Sequence, residues 1–395
     1  MPLSNILFES IEENTLRNLV DNQVPESKTI DYKEALIGNS DSDKREFLAD
    51  VSSFANASGG YLIFGIRELS GVPVELCGLQ NINADSEILR IESIIRDGIE
   101  PRIPGVSIRA VPLQNHRWAI VIRIPRSWGS PHMVTLKLRG HERFFSRYSA
   151  GKYPLDVSEL KAAFLLSETI SERIRNFRVE RLSKIVAEET PVKLNDVPKI
   201  VLHIIPISAF DSTTRFDLSP IAHDSSYLPP INTSGWNHRY NFDGFLTYGQ
   251  FTESTSAHSY SQIFRNGIIE AVEASMLNPE RNKRFIPSVA YERELLSALP
   301  RYLSSQRQLG VETPLIIMLS ILGIFGYTLA INRSRFPFAD SHPIDRNTLL
   351  IPEILLERFD SDLAEIMKPA FDSVWNAAGW PRSMNYNETG QWIEH

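Results

Sequence analysis

The sequence has almost no cysteine and no basic, apolar leader. Cys77 is the only cysteine among 395 residues, which excludes an internal disulfide framework and a cysteine-rich zinc site. The first residues, MPLSNILFESIEEN, are acidic and lack the basic segment and apolar run of a secretory signal. These absences predict a cytoplasmic protein. Its length suffices for two domains, each with its own core.

One apolar run, residues 314–331, is about as long as a transmembrane helix. Gly323, Gly326, Ser320 and Thr328 interrupt it, and no basic or aromatic residues bracket it cleanly, as they bracket a membrane span. We therefore expect a buried β-strand, a glycine-containing turn and a second buried segment. The sequence predicts no contact with a membrane.

The formal net charge of −7 argues against a nucleic-acid partner, but the charge is unevenly distributed. The segment before Pro101 is acidic, whereas basic residues dominate from Arg102 to Arg181. This stretch predicts a positive surface that follows a nucleic-acid backbone; the alternative is an ordinary solvated strand face. The candidate nucleic-acid-binding residues are Arg123, Arg126, Lys137, Arg139, Arg143, Arg147 and Lys152.

Helix and strand patterns occur along the whole chain, so we predict an α+β or α/β fold. Residues 44–57 are typical of a helix with one apolar face, and the run from Tyr61 to Ile66 is typical of a strand buried on both faces. We expect further strands at 106–111, 118–124, 132–137 and 143–148, and a helix from Asp156. The domains are predicted to be residues 1–168, a solvated helical linker over 169–197, and a second, α/β domain over 198–395.

Acidic side chains follow or flank two of the predicted strands. Asp31 and Lys33 share one face of a strand, because side chains alternate along it, and Glu26 lies at the strand's entry. Gly59-Gly60 suits a tight turn into the next strand, and Glu68 lies where that strand ends. Grouped carboxylates repel one another unless a cation lies between them, so the cluster is a candidate site for Mg²⁺ or Mn²⁺. The alternative is scattered surface acids and structural salt bridges.

Three motifs together resemble the Schlafen AlbA-like family. They are E-x4-[DE]-x-K from Glu26 to Lys33, FANxxGGxLxxG from Phe54 to Gly65, and an acid three residues after that last glycine. Pro131-His132 and the segment 144–151 resemble later strands of the family, so the resemblance covers about residues 10–168. It implies a mixed-sheet first domain. Such domains were long labelled divergent AAA or ATP-binding, but Gly59-Gly60 lacks the Lys-Ser/Thr of a P-loop.

The resemblance implies a metal-dependent endoribonuclease acting on structured RNA such as tRNA or rRNA. Carried over by position, the three family acids fall on Glu26, Asp31 and Glu68, which would hold Mg²⁺ or Mn²⁺, and Lys33 would contact the phosphate. The second acid is Asp where the family more often has Glu, and the third is Glu where it often has Asp. Arg67 occupies a position where the family often has an acid, and it is a candidate partner for Glu68.

The resemblance also bears on assembly and role. Family members with two such domains form a horseshoe around RNA; this chain has one copy, so we expect a homodimer. A stress or antiviral role is consistent with the resemblance, and the second domain would sense a trigger or mediate oligomerisation. The alternative function is a non-catalytic regulator that binds RNA or DNA and in which the acids are structural.

Overall fold

A computed structural model describes residues 3, 8–127, 129–135, 143–148, 151–211, 214–250, 255–279, 283–331 and 342–393, apart from the side chains of residues 115 and 166–168. The chain divides into two compact units, Met1–Glu172 and Arg173–His395. Helices and several mixed or antiparallel sheets give an α+β fold, which confirms the predicted class. Among the described residues, no helix is long and apolar enough to cross a membrane.

The described residues of the first unit form four helices and ten strands, and the last helix continues into the second unit. The helices are α1 (Glu13–Asp21), α2 (Asp41–Asn56), α3 (Ala84–Gly98) and α4 (Val157–Val186). The strands are β1 (Ile30–Lys33), β2 (Gly60–Phe64), β3 (Arg67–Leu69), β4 (Val72–Glu75), β5 (Ile99–Glu100), β6 (Ser107–Leu113), β7 (Arg117–Ile124), β8 (Met133–Val134), β9 (Arg143–Tyr148) and β10 (Gly151–Pro154).

The central sheet of this unit has the order β1-β2-β7-β6, with β1 parallel to β2 and the other pairs antiparallel. Apolar side chains on one face, such as Leu62 and Ile122, pack in a core with α2 and α3. Those on the other face, such as Tyr61 and Ile63, pack in a core with α1. Both faces of β2 are covered, which explains why its sequence is a continuous apolar run.

A second sheet, β10-β9-β8-β5, contacts the opposite side of α2. Asn56, the last residue of α2, donates from Nδ2 to the carbonyl oxygens of His132 (2.9 Å) and Phe145 (2.8 Å). Gly59 follows with a φ of +69°, and a β-carbon there would lie 2.5 Å from the backbone nitrogen of Arg126. The helix is therefore held between two sheets, and residues 47–55 are all buried.

Among its described residues, the second unit contains the end of α4, three further helices and ten strands. The helices are α5 (Ser219–His223), α6 (Ser288–Gln308) and α7 (Leu363–Ala377). The strands are β11 (Lys199–Pro206), β12 (Asn237–Tyr240), β13 (Gly244–Gln250), β14 (Ala257–Phe264), β15 (Ile269–Glu273), β16 (Phe285–Pro287), β17 (Leu315–Leu322), β18 (Thr328–Ala330), β19 (Thr348–Leu350) and β20 (Ile354–Leu356).

The main sheet of this unit is antiparallel, with the order β12-β13-β14-β15-β11-β17-β19 and β20 also paired with β17. An antiparallel sheet makes this unit α+β rather than the predicted α/β. The apolar run near residue 314 is the buried strand β17 followed by a turn and the short strand β18, as expected.

The end of α4 is not the solvated linker that its Arg- and Glu-rich sequence predicts. Arg178 and Arg181 are buried, and their guanidinium groups donate hydrogen bonds to the sheet of the second unit. Arg181 makes two hydrogen bonds of 2.7 Å to Glu270 on β15, and His203 Nε2 lies 2.9 Å from the same carboxylate. Burial alone would raise the pKa of Glu270, but these two partners lower it to about 2.

A second buried acid, Glu292 on α6, organises the chain after α7. Its Oε1 accepts hydrogen bonds from Trp375 Nε1 and Ser383 Oγ, each 2.8 Å long. Its Oε2 accepts from Trp392 Nε1 (2.8 Å) and Asn385 Nδ2 (3.0 Å). These described partners are all neutral, and burial raises the pKa of the carboxyl despite them.

Candidate functional site

Strand β1 presents Asp31 and Lys33 on the sheet face that is turned towards α2. Asp31 pairs in register with Leu62 of β2, whose side chain belongs to the core on that face. Lys33 Nζ lies 2.8 Å from Asp31 Oδ1, so the two side chains form an ion pair. The predicted proximity of these two residues is therefore observed.

Asp31 has a second cationic partner from β9. Arg147 Nη2 donates to Asp31 Oδ2 over 2.8 Å, and the guanidinium carbon lies 3.7 Å from the centre of the Phe54 ring. Asp31 is 6% exposed and Arg147 is 3% exposed, so the pair is shielded from water. Burial alone would raise the pKa of Asp31, but Lys33 and Arg147 hold it below its ordinary value. The group is a carboxylate at neutral pH.

Asp50 of α2 joins this cluster, which the sequence interpretation missed. Its Oδ2 lies 3.8 Å from Lys33 Nζ, and its Oδ1 lies 2.7 Å from Lys152 Nζ, which also contacts Glu46 Oε1 at 2.5 Å. Burial raises the pKa of Asp50, and the two lysines reduce that shift. Six groups of alternating sign thus follow one another and are called the ion chain below: Arg147, Asp31, Lys33, Asp50, Lys152 and Glu46.

Glu26 and Glu68 lie on either side of the turn between β3 and β4. Glu26 Oε1 accepts a hydrogen bond of 2.9 Å from the backbone nitrogen of Tyr32, and Glu68 Oε2 accepts one from the backbone nitrogen of Gly71. Gly71 has a φ of +78°, and a β-carbon there would lie 3.6 Å from Glu26 Oε2. Arg67, the candidate partner of Glu68, instead contacts Glu75 on the adjacent strand.

The three predicted acids share one electrostatic environment without converging on a point. Burial raises the pKa of Glu26, and the charges of Asp31 and Glu68 add to the increase, while the Tyr32 hydrogen bond and Lys33 oppose it. Within the described part of the chain, no group of three or more His, Cys, Asp or Glu side chains is placed to hold a metal ion. In this arrangement the acids do not fit a resident Mg²⁺ or Mn²⁺ ion, because two cations already contact Asp31 and backbone nitrogens bond to the others.

The predicted basic residues do not line a single surface. Arg147 is buried against Asp31 and cannot contact a nucleic-acid backbone in this arrangement, and Lys152 is ion-paired with Asp50. Arg123 pairs in register with Tyr61, so it lies on the sheet face opposite Asp31, where its guanidinium is 5.6 Å from the Phe8 ring centre. These positions follow from strand alternation and from the second sheet, which the sequence pattern did not specify.

Of the other four predicted basic residues, the structure describes two. Arg143, at the start of β9, is exposed, and Arg126, just after β7, is partly exposed. Lys137 and Arg139 lie outside the described residues. Among the described members of the predicted set, Arg143 and Arg126 are therefore the ones with a surface open to a nucleic-acid backbone.

One feature of the sequence could have identified Asp50 as part of the site. No charged residue occurs from Val51 to Ile66, so the helix that carries Asp50 has no solvated face in its second half. An acid at the start of such a stretch is buried and therefore needs a cation as partner.

Comparisons with known proteins give one family match, over part of the chain. Residues 26–156 match the family model described as Schlafen, AlbA_2, which supports a nucleic-acid-related function. No curated protein matches the chain. A solved structure similar to part of it is that of the DIP2311 protein from Corynebacterium diphtheriae, with 18% identity and a TM-score of 0.25 over 37% of this chain and 26% of that one.

Proposed function

We propose, from the Schlafen-type AlbA-like domain that residues 26–156 form, that this protein binds structured RNA such as tRNA or rRNA and cleaves it as an endoribonuclease. The observation that carries the proposal is the Lys33 ammonium, whose side chain is 39% exposed while it is held by Asp31. A cation that is both fixed and accessible suits a phosphate group, and it lies in the field of Glu26.

The proposed chemistry is phosphodiester hydrolysis. The Lys33 pKa is raised, because Asp50, Asp31 and Glu26 outweigh the effect of burial, so the ammonium stays charged when it contacts phosphate. The raised pKa of Glu26 brings this carboxylate closer to the neutral range in which general bases work best. Glu26 would take a proton from the attacking water as the water oxygen forms a new bond to phosphorus. The P–O bond to the leaving oxygen would break, and that oxygen would take a proton from solvent.

Dependence on Mg²⁺ or Mn²⁺ is part of the proposal, supported by the family resemblance. Glu26, Asp31 and Glu68 are the residues that would hold the ion. Because they do not fit it as arranged, binding would require Asp31 to exchange Arg147 or Lys33 for the metal.

The second candidate is a non-catalytic regulator that binds RNA or DNA. The observation that favours it is the double ion pair of Asp31, which neutralises this carboxylate with cations of the protein itself. In that case Asp31 and Asp50 hold β1, α2 and β9 together, and Lys33 contributes only to binding.

A cleavage assay separates the two candidates. Total tRNA is incubated with the full chain in Mn²⁺ or in EDTA, and Glu26→Gln and Glu68→Gln are compared with Glu75→Gln, an exposed acid of the same hairpin. We expect cleavage in Mn²⁺ only, a rate about 10²-fold lower for Glu26→Gln, and no change for Glu75→Gln. Binding without cleavage in every condition would leave only the regulator. Undiminished cleavage by both site variants would locate the chemistry elsewhere.

The proposal extends to the whole protein. We expect a homodimer in the cytoplasm, since one domain copy covers only half of the two-domain arrangement around RNA, and a stress or antiviral role. The second unit would sense a trigger or mediate oligomerisation. Light scattering at micromolar concentration tests the dimer, and a monomeric mass would contradict it.

A further inference from the structure

The hairpin formed by β9 and β10 has two chemically different faces. Arg147 and Lys152 are directly opposite each other and point towards α2, where they belong to the ion chain. Because side chains alternate along a strand, Tyr148 and Tyr153 lie on the other face. The candidate site and an aromatic surface are therefore back to back on one hairpin.

The two tyrosines form a rigid stack. Their ring centres are 4.3 Å apart and the planes differ by 8°. Tyr153 OH donates to Glu159 Oε1 over 3.0 Å, and Glu159 exchanges two hydrogen bonds with Asp156 at the start of α4. Tyr153 is thus fixed to the helix start, and it fixes Tyr148 in turn.

Tyr148 is 62% exposed although its ring stacks on Tyr153. A flat aromatic ring that is held in place and open to solvent costs little conformational entropy when another ring stacks on it. All nucleobases have such a ring, and proteins that bind single strands use aromatic side chains in this way.

We propose that Tyr148 is a stacking site for an unpaired nucleobase of the RNA whose backbone contacts Lys33. The inference rests on the proposed RNA-binding function and adds to it a preference for RNA with single-stranded nucleotides next to a helix. Phe164 and Leu165 of α4 are also exposed, so a protein partner on this side of the unit is the competing occupant.

The test measures binding of two RNA probes to the full chain in EDTA, which keeps cleavage out of the measurement. One probe is a blunt duplex, and the other is the same duplex with a single-stranded adenosine extension that carries a fluorescent purine analogue. The variants are Tyr148→Ala, Tyr148→Phe, Lys33→Ala and, as a matched control, Tyr240→Ala, which removes a half-exposed tyrosine of the second unit.

For Tyr148→Ala we expect about tenfold weaker binding of the extended probe, unchanged binding of the blunt duplex, and loss of quenching of the purine analogue. Tyr148→Phe keeps the ring and should behave like the wild type, as should Tyr240→Ala. Lys33→Ala should weaken both probes equally.

The failures of the two proposals look different. Equal binding of both probes by Tyr148→Ala and wild type, or an equal loss on both, overturns the stacking site while RNA binding stands. If the Tyr148→Ala variant forms a smaller assembly in solution than the wild type does, the surface is a protein interface, and this result also overturns the stacking site. If wild type binds neither probe, the RNA-binding function is wrong and the stacking site with it. If only Lys33→Ala has no effect, the backbone contact is wrong and the stacking site stands.

Discussion

Removing the Arg147 guanidinium should destabilise the first unit strongly, although the residue lies far from Asp31 in sequence. Arg147→Met keeps the length and the contact with Phe54 but deletes the 2.8 Å hydrogen bond to Asp31. Breaking a buried pair by removing one partner costs about 3–5 kcal/mol, because the other charge is left without compensation. Lys33 remains 2.8 Å from Asp31, so we expect a loss at the lower end, about 3 kcal/mol.

Hydrogen exchange with mass spectrometry measures this loss within the unit. A loss of about 3 kcal/mol raises the opening constant ~10²-fold, so amides of β1, α2 and β9 should exchange faster by that factor. The matched control is Arg67→Met, which breaks an exposed pair, half-accessible on both sides. That change should cost at most about 1 kcal/mol.

Two further measurements can refute the reasoning. The double variant Asp31→Asn/Arg147→Met leaves no charge of that pair behind, so it should be more stable than the sum of the single losses predicts. The Asp31 pKa is lowered in the folded state, so the advantage of wild type over Asp31→Asn should be present above the ordinary carboxyl pKa and vanish as pH falls through the lower folded value. Additive losses, or an Arg147→Met effect no larger than that of Arg67→Met, would show that the pair does not stabilise the fold as argued.

Three other outcomes follow from buried or accessible charges. Glu270→Gln leaves Arg181 buried without its counter-charge and should cost about 3–5 kcal/mol at neutral pH by hydrogen exchange in β11 and β15; the difference from wild type should shrink as pH falls towards about 2, the Glu270 pKa. The raised Glu292 pKa predicts that stability falls as pH rises above 4.5 through the folded pKa, and Glu292→Gln should abolish this fall in denaturation curves. Lys33→Ala should reduce the salt dependence of RNA binding by about one unit of slope in log K against log salt, whereas an unchanged slope would exclude a phosphate contact at this residue.

Local sequence patterns were sufficient to identify the strand that carries the site and to put Asp31 beside Lys33. Alternation along β1 requires residues two apart to share a face, and the two side chains do contact each other. The turn after α2 could also be predicted from its glycines. Gly59 has a positive φ, and a β-carbon there would lie within 3 Å of neighbouring backbone atoms. Such features depend on a few neighbouring residues.

The pairing of Asp31 with Arg147 could not be predicted in the same way, because Arg147 lies on a second sheet. Arg147 is 116 positions away, and its basic neighbourhood suggested a surface. The apolar face of α2 is visible in sequence, but the covering of its other side by β9 is not. Once that sheet is in place, Asp50 and Arg147 are enclosed and must pair with opposite charges. The same effect buries Arg178 and Arg181 at the end of α4, where the charged sequence suggested solvent.

The ion chain also limits how this domain can diverge in evolution. Each inner member, from Asp31 through Lys33 and Asp50 to Lys152, touches two groups of opposite sign. An exchange of one member leaves at least one neighbour without its counter-charge, so a single step passes through a weakened protein. Homologous chains should therefore differ at positions 31, 33, 50, 147 and 152 by joint replacement, and these positions should be inherited as one unit.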